Sequence, residues 1–380
     1  MSTRVLHVLG SMQRGGGIQA LIMSVYRTMP TDIKFDFLLY NSYGQEADFE
    51  KEIISMGGSV YYIHSRGESA SQNYKELKDF FRKKARDYGA VHSHVSSASY
   101  ILPAKFAYNY GIPVRIIHSH NIGVKGARIG TELHVFLHKT HRRQIEKYCN
   151  VYLGCSDLAS KWLYTKEILP KAEIIRNGII TEKYIFDINM RTRIRNQYSV
   201  KNDEVLIGNV ARFHKQKNHD FLIDIFSYIH AHIPKTKLVL VGEGSEREKV
   251  EKKVKACSLE NCVIFTGISN DVPGLMNAMD LFLFPSLYEG LGIVLIEAQC
   301  SGLKCFASAD VIPDDVKVTN LLDFISLDDG ADFWGDKIID CIVSEPKVRE
   351  DHISEVKLKG YDIRSTTDRL TEIYTGAFNI

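Results

Sequence analysis

The sequence predicts an α/β protein of two doubly wound units, each a parallel sheet with helices on both faces. Short apolar runs alternate with runs of helical spacing along most of the 380 residues. The alternation stops once, in a polar stretch after Asn177 and Gly178, and then restarts. The length suits two domains of roughly 150–200 residues. We therefore predict one domain over 1–180 together with 361–380, and a second over 181–360.

Each strand is predicted from an apolar run. The first helix follows the first strand, because apolar side chains recur at helical spacing from Ile18 to Met29. Loops at the carboxyl ends of parallel strands line the ligand crevice of such sheets, so functional residues are expected there. The predicted strands are 4–9, 35–40, 59–64, 90–94, 114–120, 151–156 and 172–175 in the first half, then 205–211, 237–241, 262–267, 281–285 and 303–308 in the second.

Composition excludes several classes of protein. A net charge of +2 with 25% charged residues argues against a dedicated nucleic-acid binder. The first residues show no signal-peptide pattern, and no apolar run approaches the roughly 20 residues of a membrane span, so we expect a cytoplasmic protein. The seven cysteines include no C-x-x-C pair, which favours reduced, mostly buried thiols over disulfides or a zinc site.

The most informative segment is 285–297, in which Glu289 and Glu297 stand eight positions apart. Gly290, Leu291 and Gly292 lie between them and predict a tight turn between a buried strand and a helix. Backbone amides at such a helix start favour phosphate. The layout suits a nucleotide diphosphate sugar, with amides for the phosphates and one carboxylate each for sugar and ribose. A surface turn with two solvated glutamates explains the spacing equally well.

A second glycine segment, Gly15, Gly16 and Gly17, follows the first strand and opens the first helix. Its amides could face a phosphate, although a flexible turn is an equal interpretation. The segment matches neither G-x-G-x-x-G nor a Walker motif, so it gives no support to a nicotinamide or ATP site. The run from Gly242 to Gly244 fails the dinucleotide pattern too, because Arg247 stands where its third glycine should be.

Two cations, Arg212 and Lys217, follow the first strand of the second domain. A guanidinium and an ammonium on one loop can share the oxygens of a diphosphate. Surface cations are common, and only the strand-end position favours function.

Four histidines, His92, His94, His118 and His120, close two adjacent predicted strands and indicate a polar cleft. No carboxylate or cysteine accompanies them nearby, so we expect no metal there.

Two segments are locally basic: 75–86, and 139–147 after an apolar run. Basic amphipathic helices can bind anionic membrane surfaces, and ordinary solvated helices give the same pattern.

Together these motifs resemble the retaining glycosyltransferases of the GT-B fold, in the family with the E-x7-E motif known as glycosyltransferase family 4. The resemblance covers nearly the whole chain and includes His-Ser-His-Asn at 118–121 and Glu-Ala-Gln-x-x-Gly-Leu at 297–303. It is nearest to bacterial capsular and exopolysaccharide transferases. It implies two facing Rossmann-like domains with a central cleft, the first binding the acceptor and the second the donor.

The resemblance also implies roles for particular residues. Glu297 would bind the ribose and Glu289 the donor sugar, with amides from Gly290 to Gly292 nearby. Arg212 and Lys217 would hold the diphosphate and stabilise it as it leaves. His120 is favoured over His118 for contact with the sugar, and the other histidine is assigned to the acceptor together with Gln19. Gly16 and Gly17 would approach the phosphates.

We therefore predict transfer of a sugar, most simply from a UDP-linked donor, to a saccharide or lipid-linked acceptor with retention of anomeric configuration. No Asp-x-Asp sequence occurs, so neither an essential metal nor a cofactor is expected. The predicted setting is the cytoplasm, with peripheral contact at the inner face of the cell membrane. A sugar phosphorylase, a nucleotide-sugar epimerase or an inactive partner subunit on the same fold remain alternatives.

Overall fold

The computed structural model describes residues 3–13, 16–40, 46–121, 131–344 and 349–376, which fall into two compact units. Unit 1 comprises Met1–Gly178 and Ile363–Ile380, and unit 2 comprises Ile179–Asp362. Each junction is two residues away from the one predicted from the sequence. Gly15, one of the candidate phosphate-binding glycines, lies outside the described residues.

Unit 1 is built on a parallel sheet in the order β3-β2-β1-β4-β5-β6-β7. Its strands are β1 (Thr3–Leu9), β2 (Ile33–Leu39), β3 (Val60–Tyr62), β4 (Ala90–Val95), β5 (Val114–Ser119), β6 (Val151–Gly154) and β7 (Glu173–Ile174). Its helices up to the junction are α1 (Gly17–Thr28), α2 (Glu50–Ser55), α3 (Ala70–Lys84), α4 (Leu102–Asn109), α5 (Thr131–His141), α6 (Ile145–Tyr148) and α7 (Asp157–Leu163).

Unit 2 repeats the plan with a parallel sheet in the order β10-β9-β8-β11-β12-β13. Its strands are β8 (Val205–Val210), β9 (Thr236–Val241), β10 (Val263–Gly267), β11 (Leu281–Phe284), β12 (Lys304–Ser308) and β13 (Leu322–Ile325). Its helices are α8 (Ile188–Gln197), α9 (His219–His232), α10 (Arg247–Ala256), α11 (Val272–Ala278), α12 (Ile293–Cys300), α13 (Gly330–Ser344) and α14 (Ile353–Leu358).

The last helix, α15 (Ile363–Thr375), returns the chain to unit 1. Its Thr367 hydroxyl lies 2.6 Å from the Thr28 hydroxyl on α1. The Arg369 guanidinium donates two hydrogen bonds, of 2.7 and 2.8 Å, to the Glu173 carboxylate on β7. These contacts explain why the C-terminal segment belongs with the N-terminal half.

Both sheets are covered on two faces, which explains their nearly continuous apolar strands. Successive residues of β11 show this, because Phe282 and Phe284 pack in one buried cluster while Leu281 and Leu283 pack in another. The two doubly wound parallel sheets confirm the predicted fold class. The sequence missed β13, a four-residue strand that carries the half-buried polar Asp323 and therefore lacks a clear apolar run.

Five of the seven cysteines are buried, in line with the prediction of mostly buried thiols. Among the helices within the described ranges, none is both long and apolar enough to cross a bilayer.

Candidate active site

The strand order reverses between β8 and β11 in unit 2, and ligands bind at such switch points in open α/β sheets. Arg212 and Lys217 follow β8, and Glu289 follows the adjacent strand β11. Three residues predicted from the sequence therefore lie at one edge of one sheet.

Lys217 and Glu289 form an ion pair across this edge, with 2.6 Å between Lys217 Nζ and Glu289 Oε1. Their side chains are only 19% and 7% exposed. The ammonium also lies 4.8 Å from the centre of the Phe284 ring, a distance suited to a cation–π contact. The opposite charges offset part of the cost of removing the two groups from water. The ion pair was not predicted, since 72 residues separate the partners.

Two hydrogen bonds join the loops that carry this pair. The amide of Leu287 donates to the carbonyl of Gln216 at 2.8 Å, and Gln216 Nε2 donates to the carbonyl of Tyr288 at 2.8 Å. The glycine turn after β11 is thus attached to the loop after β8, which fixes where the Lys217 ammonium points.

Arg212 is exposed and has no ion pair or side-chain hydrogen bond with any residue in the described ranges. Its loop rests on Gly242 and Gly244. A Cβ at Gly242 would lie 2.1 Å from the carbonyl oxygen of Ala211, and one at Gly244 would lie 2.3 Å from that of Phe213. Because these glycines lack a Cβ, the backbone at 242–244 can pack closely against the Arg212 loop. This packing gives a structural reason for two glycines in a run that only partly matches a dinucleotide-binding motif.

The glycine turn ends at Gly292, whose φ of +87° lies in the left-handed region that favours glycine. Gly292 caps α12, and no side chain caps the first amides of this helix. The amides at 290–292 are therefore placed at a helix start, where negative charge is favoured.

Glu297 lies on α12, where burial raises the pKa of its carboxyl to about 7. A hydrogen bond with the Tyr184 hydroxyl opposes this shift. Tyr184 belongs to a short 3-10 helix, Thr181–Tyr184, and sequence analysis overlooked it because no local pattern links it to α12. Glu289 and Glu297 thus differ in surroundings: Glu289 is paired with the Lys217 ammonium, whereas the raised pKa of Glu297 leaves its carboxyl about half protonated at pH 7.

Unit 1 has a cavity of about 470 Å³ at the carboxyl ends of β1, β2 and β4. The side chains that line it in the described ranges include no carboxylate and one guanidinium, that of Arg66, which stacks over Tyr100 at 5.4 Å. Such a wall suits a ligand rich in hydroxyls or carrying negative charge. The other hydrogen-bonding side chains of the wall are Ser11, Gln19, Tyr40, Ser65, His94, Ser96, Ser97, Ser99 and His134.

Gln19 on α1 is held at this cavity by a 2.9 Å hydrogen bond from its Nε2 to the carbonyl of Ser11. Gly16 caps α1, and a Cβ there would lie 1.9 Å from Gln19 Oε1, so glycine at 16 is needed for that pose. A Cβ at Gly17 would have no neighbour within 4 Å, so that position makes no such demand.

The four histidines lie at the ends of two adjacent strands, as predicted, and they contact one another because His94 and His118 are register partners on β4 and β5. They do not form an open cleft: His92, His94 and His118 are buried and only His120 is half-exposed. His118 is 1% exposed, so it offers almost no surface to an acceptor. His7 of β1 joins the cluster, a partner that the sequence did not indicate.

These two units, with their charged and polar switch points, have the architecture of a sugar-transferring enzyme of the GT-B type. Residues 190–326 match the family described as Glycosyl transferases group 1, and the chain belongs to that family. EpsF of Bacillus subtilis (strain 168), named as a glycosyltransferase, is 30% identical over 379 residues, which cover 98% of this chain and 96% of that protein.

More distant relatives have more specific names. An Escherichia coli UDP-Gal:alpha-D-GlcNAc-diphosphoundecaprenol alpha-1,3-galactosyltransferase is 24% identical, covering 94% of this chain and 93% of that enzyme. The capsular polysaccharide biosynthesis glycosyltransferase CapH of Staphylococcus aureus is 25% identical, covering 98% of both chains. Anabaena HepE, crystallised with UDP-glucose, shares the fold with a TM-score of 0.77 at 16% identity, covering 98% of this chain and 99% of that chain.

Proposed function

We propose that this enzyme transfers a sugar from a UDP-sugar to a saccharide or lipid-linked saccharide acceptor, with retention of anomeric configuration, in the synthesis of a bacterial surface polysaccharide. The observation that carries the proposal is the Lys217–Glu289 ion pair at the switch point of unit 2, beside the unpaired cation Arg212. Bound UDP-glucose in HepE and the UDP-galactose donor of the Escherichia coli relative support the choice of donor.

Each charged group of unit 2 receives one part of the donor. Arg212 and Lys217 hold the diphosphate, and the amides of Gly290, Leu291 and Gly292 add hydrogen bonds to it. Glu289 binds Lys217 through Oε1, which leaves Oε2 for a hydroxyl of the donor sugar. Glu297 receives the ribose, for which Tyr184 orients the carboxylate.

The proposed chemistry is a front-face displacement. The bond between the anomeric carbon and the diphosphate oxygen breaks, the bond to the acceptor oxygen forms, and the acceptor proton passes to the departing diphosphate. Arg212 and Lys217 stabilise the charge that grows on that diphosphate. Double displacement needs a carboxylate free to attack, whereas Glu289 is paired with Lys217 and Glu297 is bonded to Tyr184. No divalent cation is included, since the sequence has no Asp-x-Asp pair.

The acceptor is assigned to unit 1. The cavity beside Gln19 has the hydroxyl-rich, carboxylate-free wall that a sugar or a phosphate-linked sugar requires. His120 is assigned to the sugar undergoing transfer, while the buried His118 reaches the acceptor only through other side chains. A diphosphoundecaprenol acceptor in the Escherichia coli relative and capsule synthesis by CapH support a cytoplasmic enzyme working at the membrane surface.

Thermal stabilisation across a panel of nucleotide sugars tests the proposal, since a ligand that binds the native state raises stability by mass action. The stabilising donor is then incubated with saccharide acceptors in EDTA, and the product is analysed by NMR. We expect a product with the donor's anomeric configuration. Inversion or loss of activity in EDTA would overturn the mechanism. Turnover with inorganic phosphate would indicate a phosphorylase, conversion without acceptor an epimerase, and no nucleotide-sugar binding an inactive subunit.

A further inference from the structure

Four buried imidazoles on β1, β4 and β5 of unit 1 form one cluster with the half-buried His120, which follows β5. His7 Nδ1 lies 2.9 Å from His94 Nε2, and His94 Nδ1 lies 2.9 Å from His120 Nε2. In a second chain, His92 Nδ1 lies 2.7 Å from the Tyr374 hydroxyl and His92 Nε2 lies 3.1 Å from His118 Nδ1. The first chain ends at both sides on a nitrogen that has no partner among the described residues, and the second ends on one such nitrogen and on the Tyr374 hydroxyl.

Three such end nitrogens are His7 Nε2, His118 Nε2 and His120 Nδ1, which are buried and make no hydrogen bond to any described residue. Buried polar atoms without partners are rare and ask for an explanation. Neutral imidazole is the commonest protein ligand of transition metals.

We propose, contrary to the expectation drawn from the sequence, that His94, His118 and His120 bind a transition-metal dication such as Zn²⁺. One nitrogen from each of these three side chains lies within 4.8 Å of the others. In our assignment the metal takes His118 Nε2, which lacks a partner among the described residues, and replaces the proton shared by His94 Nδ1 and His120 Nε2. Three histidines with an open fourth position form a zinc site of the catalytic kind, and water or an anion can fill that position.

The change in geometry that this requires is small. Two nitrogens bound tetrahedrally at about 2.0–2.1 Å lie about 3.3 Å apart, so the 2.9 Å pair must open by about 0.4 Å. His120 can supply that movement, because it follows the last residue of β5 and is half-exposed. His94 lines the 470 Å³ cavity, which gives the ion a route to the cluster.

The remaining members of the cluster would hold the metal ligands in place. With the metal bound, the Nε2–H of His94 donates to His7 Nδ1, and the Nδ1–H of His118 donates to His92 Nε2. His92 in turn donates through Nδ1 to the Tyr374 hydroxyl. Each ligand except His120 thus has the hydrogen-bonded partner that fixes the tautomer of a metal-bound histidine.

The metal would inhibit transfer, and this consequence rests on the proposed function, which assigns His120 to the sugar. Occupancy by Zn²⁺ removes His120 from that contact. A chelator should therefore preserve or increase activity and should not abolish it.

The test uses full-length protein purified without a histidine tag. Calorimetric titration with Zn²⁺ and the visible spectrum with Co²⁺ report binding in the absence of any substrate. We expect about one ion per chain, a tetrahedral Co²⁺ spectrum, and at least tenfold weaker binding in His120→Asn and His118→Gln. His120→Asn remains informative if His118→Gln fails to fold, because residue 120 is half-exposed.

Two variants serve as matched controls. His134→Gln removes a histidine spaced four residues from His138 on α5, which could bind metals on its own. His219→Gln removes a buried histidine of unit 2. The proposal would be overturned if the unmodified protein did not bind the metal, or if His120→Asn bound it as tightly as the unmodified protein. Loss of metal binding in either control variant would overturn it too. Metal binding without any transferase activity would instead refute the proposed function and leave the site standing.

Discussion

The sheets of units 1 and 2 share the same order over six strands, to which unit 1 adds a seventh, yet the loops at their switch points carry different side chains. Unit 2 presents charges of both signs in Arg212, Lys217 and Glu289, whereas the unit 1 cavity is lined by hydroxyls, imidazoles and one guanidinium, with no carboxylate among the described side chains. The difference shows that a doubly wound sheet fixes where a ligand binds, and that the loops fix which ligand it is.

The two units also deal differently with buried titratable groups. Removal from water favours neutral forms, and it lowers the pKa of the buried histidines of unit 1 while raising that of Glu297 in unit 2. Lys217 and Glu289 are instead buried as a pair, in which each supplies the opposite charge for the other. Among the described residues of these sites, charged side chains are therefore either part of an ion pair or exposed to solvent.

The largest expected effect concerns Glu297, the residue that sharpens the assignment of unit 2 to the nucleotide. Glu297→Ala should weaken UDP binding by about 1.5–3 kcal/mol, because a charged acceptor for the ribose hydroxyls is lost. Calorimetry with UDP and with the full UDP-sugar measures it, and both ligands should be affected alike. Unchanged affinity for UDP would remove the ribose role.

Glu297 also predicts how stability changes with pH. Its folded pKa of about 7 lies above the ordinary value of 4.5, so the folded state keeps the proton longer than the unfolded state. The contribution of Glu297 to the free energy of unfolding is therefore greatest below about pH 4.5. It falls as the pH rises, and above pH 7 it is smaller by up to about 3 kcal/mol. Glu297→Gln should therefore raise Tm at pH 8 but not at pH 4.5. A gain of equal size at both pH values would contradict the raised pKa.

Gly242 tests whether the Arg212 loop depends on close backbone packing. Gly242→Ala places a Cβ 2.1 Å from the carbonyl of Ala211 at a φ of +141°, so the loop must shift. Overpacking of this kind costs about 1–3 kcal/mol, which urea unfolding can measure, and activity should fall with it. Gly17→Ala is the matched control in unit 1, since that glycine has open space around it. Equal losses of stability in Gly242→Ala and Gly17→Ala would contradict the predicted difference between the two glycine segments.

The sequence predicted both sheets because buried parallel strands are apolar runs that can be recognised locally. It also placed His94 and His118 at the ends of adjacent strands, where they are register partners. It could not predict the Lys217–Glu289 pair, the Tyr184–Glu297 bond or the cavity beside Arg66, since these join residues from loops far apart in the chain. Such contacts depend on the tertiary fold and leave no local pattern.

Arg212 and Lys217 test the leaving-group role. Changing either to Ala should lower turnover at least tenfold, about 1.4 kcal/mol of barrier, with a smaller effect on donor affinity. Lys217→Ala should also lower Tm, because Glu289 is left as a buried carboxylate without its cation. Lys215→Ala, at an exposed position of the same short helix, is the control and should leave turnover unchanged. Near-normal turnover in both test variants would refute the assignment.

The smallest expected effect compares two basic helices of unit 1 as membrane-binding surfaces. On α5, Leu133 and Phe136 are 62% and 64% exposed, one turn apart, and exposed Lys139 and Arg143 follow them. On α3, by contrast, Arg82 is paired with Asp79 at 3.0 Å, so part of its charge is already balanced. We therefore expect α5 to contribute more than α3 to binding of an anionic surface.

Vesicle co-sedimentation measures this difference. A Leu133→Ser, Phe136→Ser double variant and a Lys139→Gln, Arg143→Gln double variant should each sediment less with anionic vesicles, since a basic side chain near such a surface contributes about 1 kcal/mol. Ile54→Ser on the acidic helix α2 is the apolar control, because Ile54 is 56% exposed beside Glu50 and Glu52. Salt should weaken the binding of the unmodified protein, because exposed charges are screened within about 10 Å at 0.1 M. Equal recovery with neutral and anionic vesicles, or binding that ignores salt, would mean that α5 is an ordinary solvated helix and that the acceptor reaches unit 1 without a membrane surface.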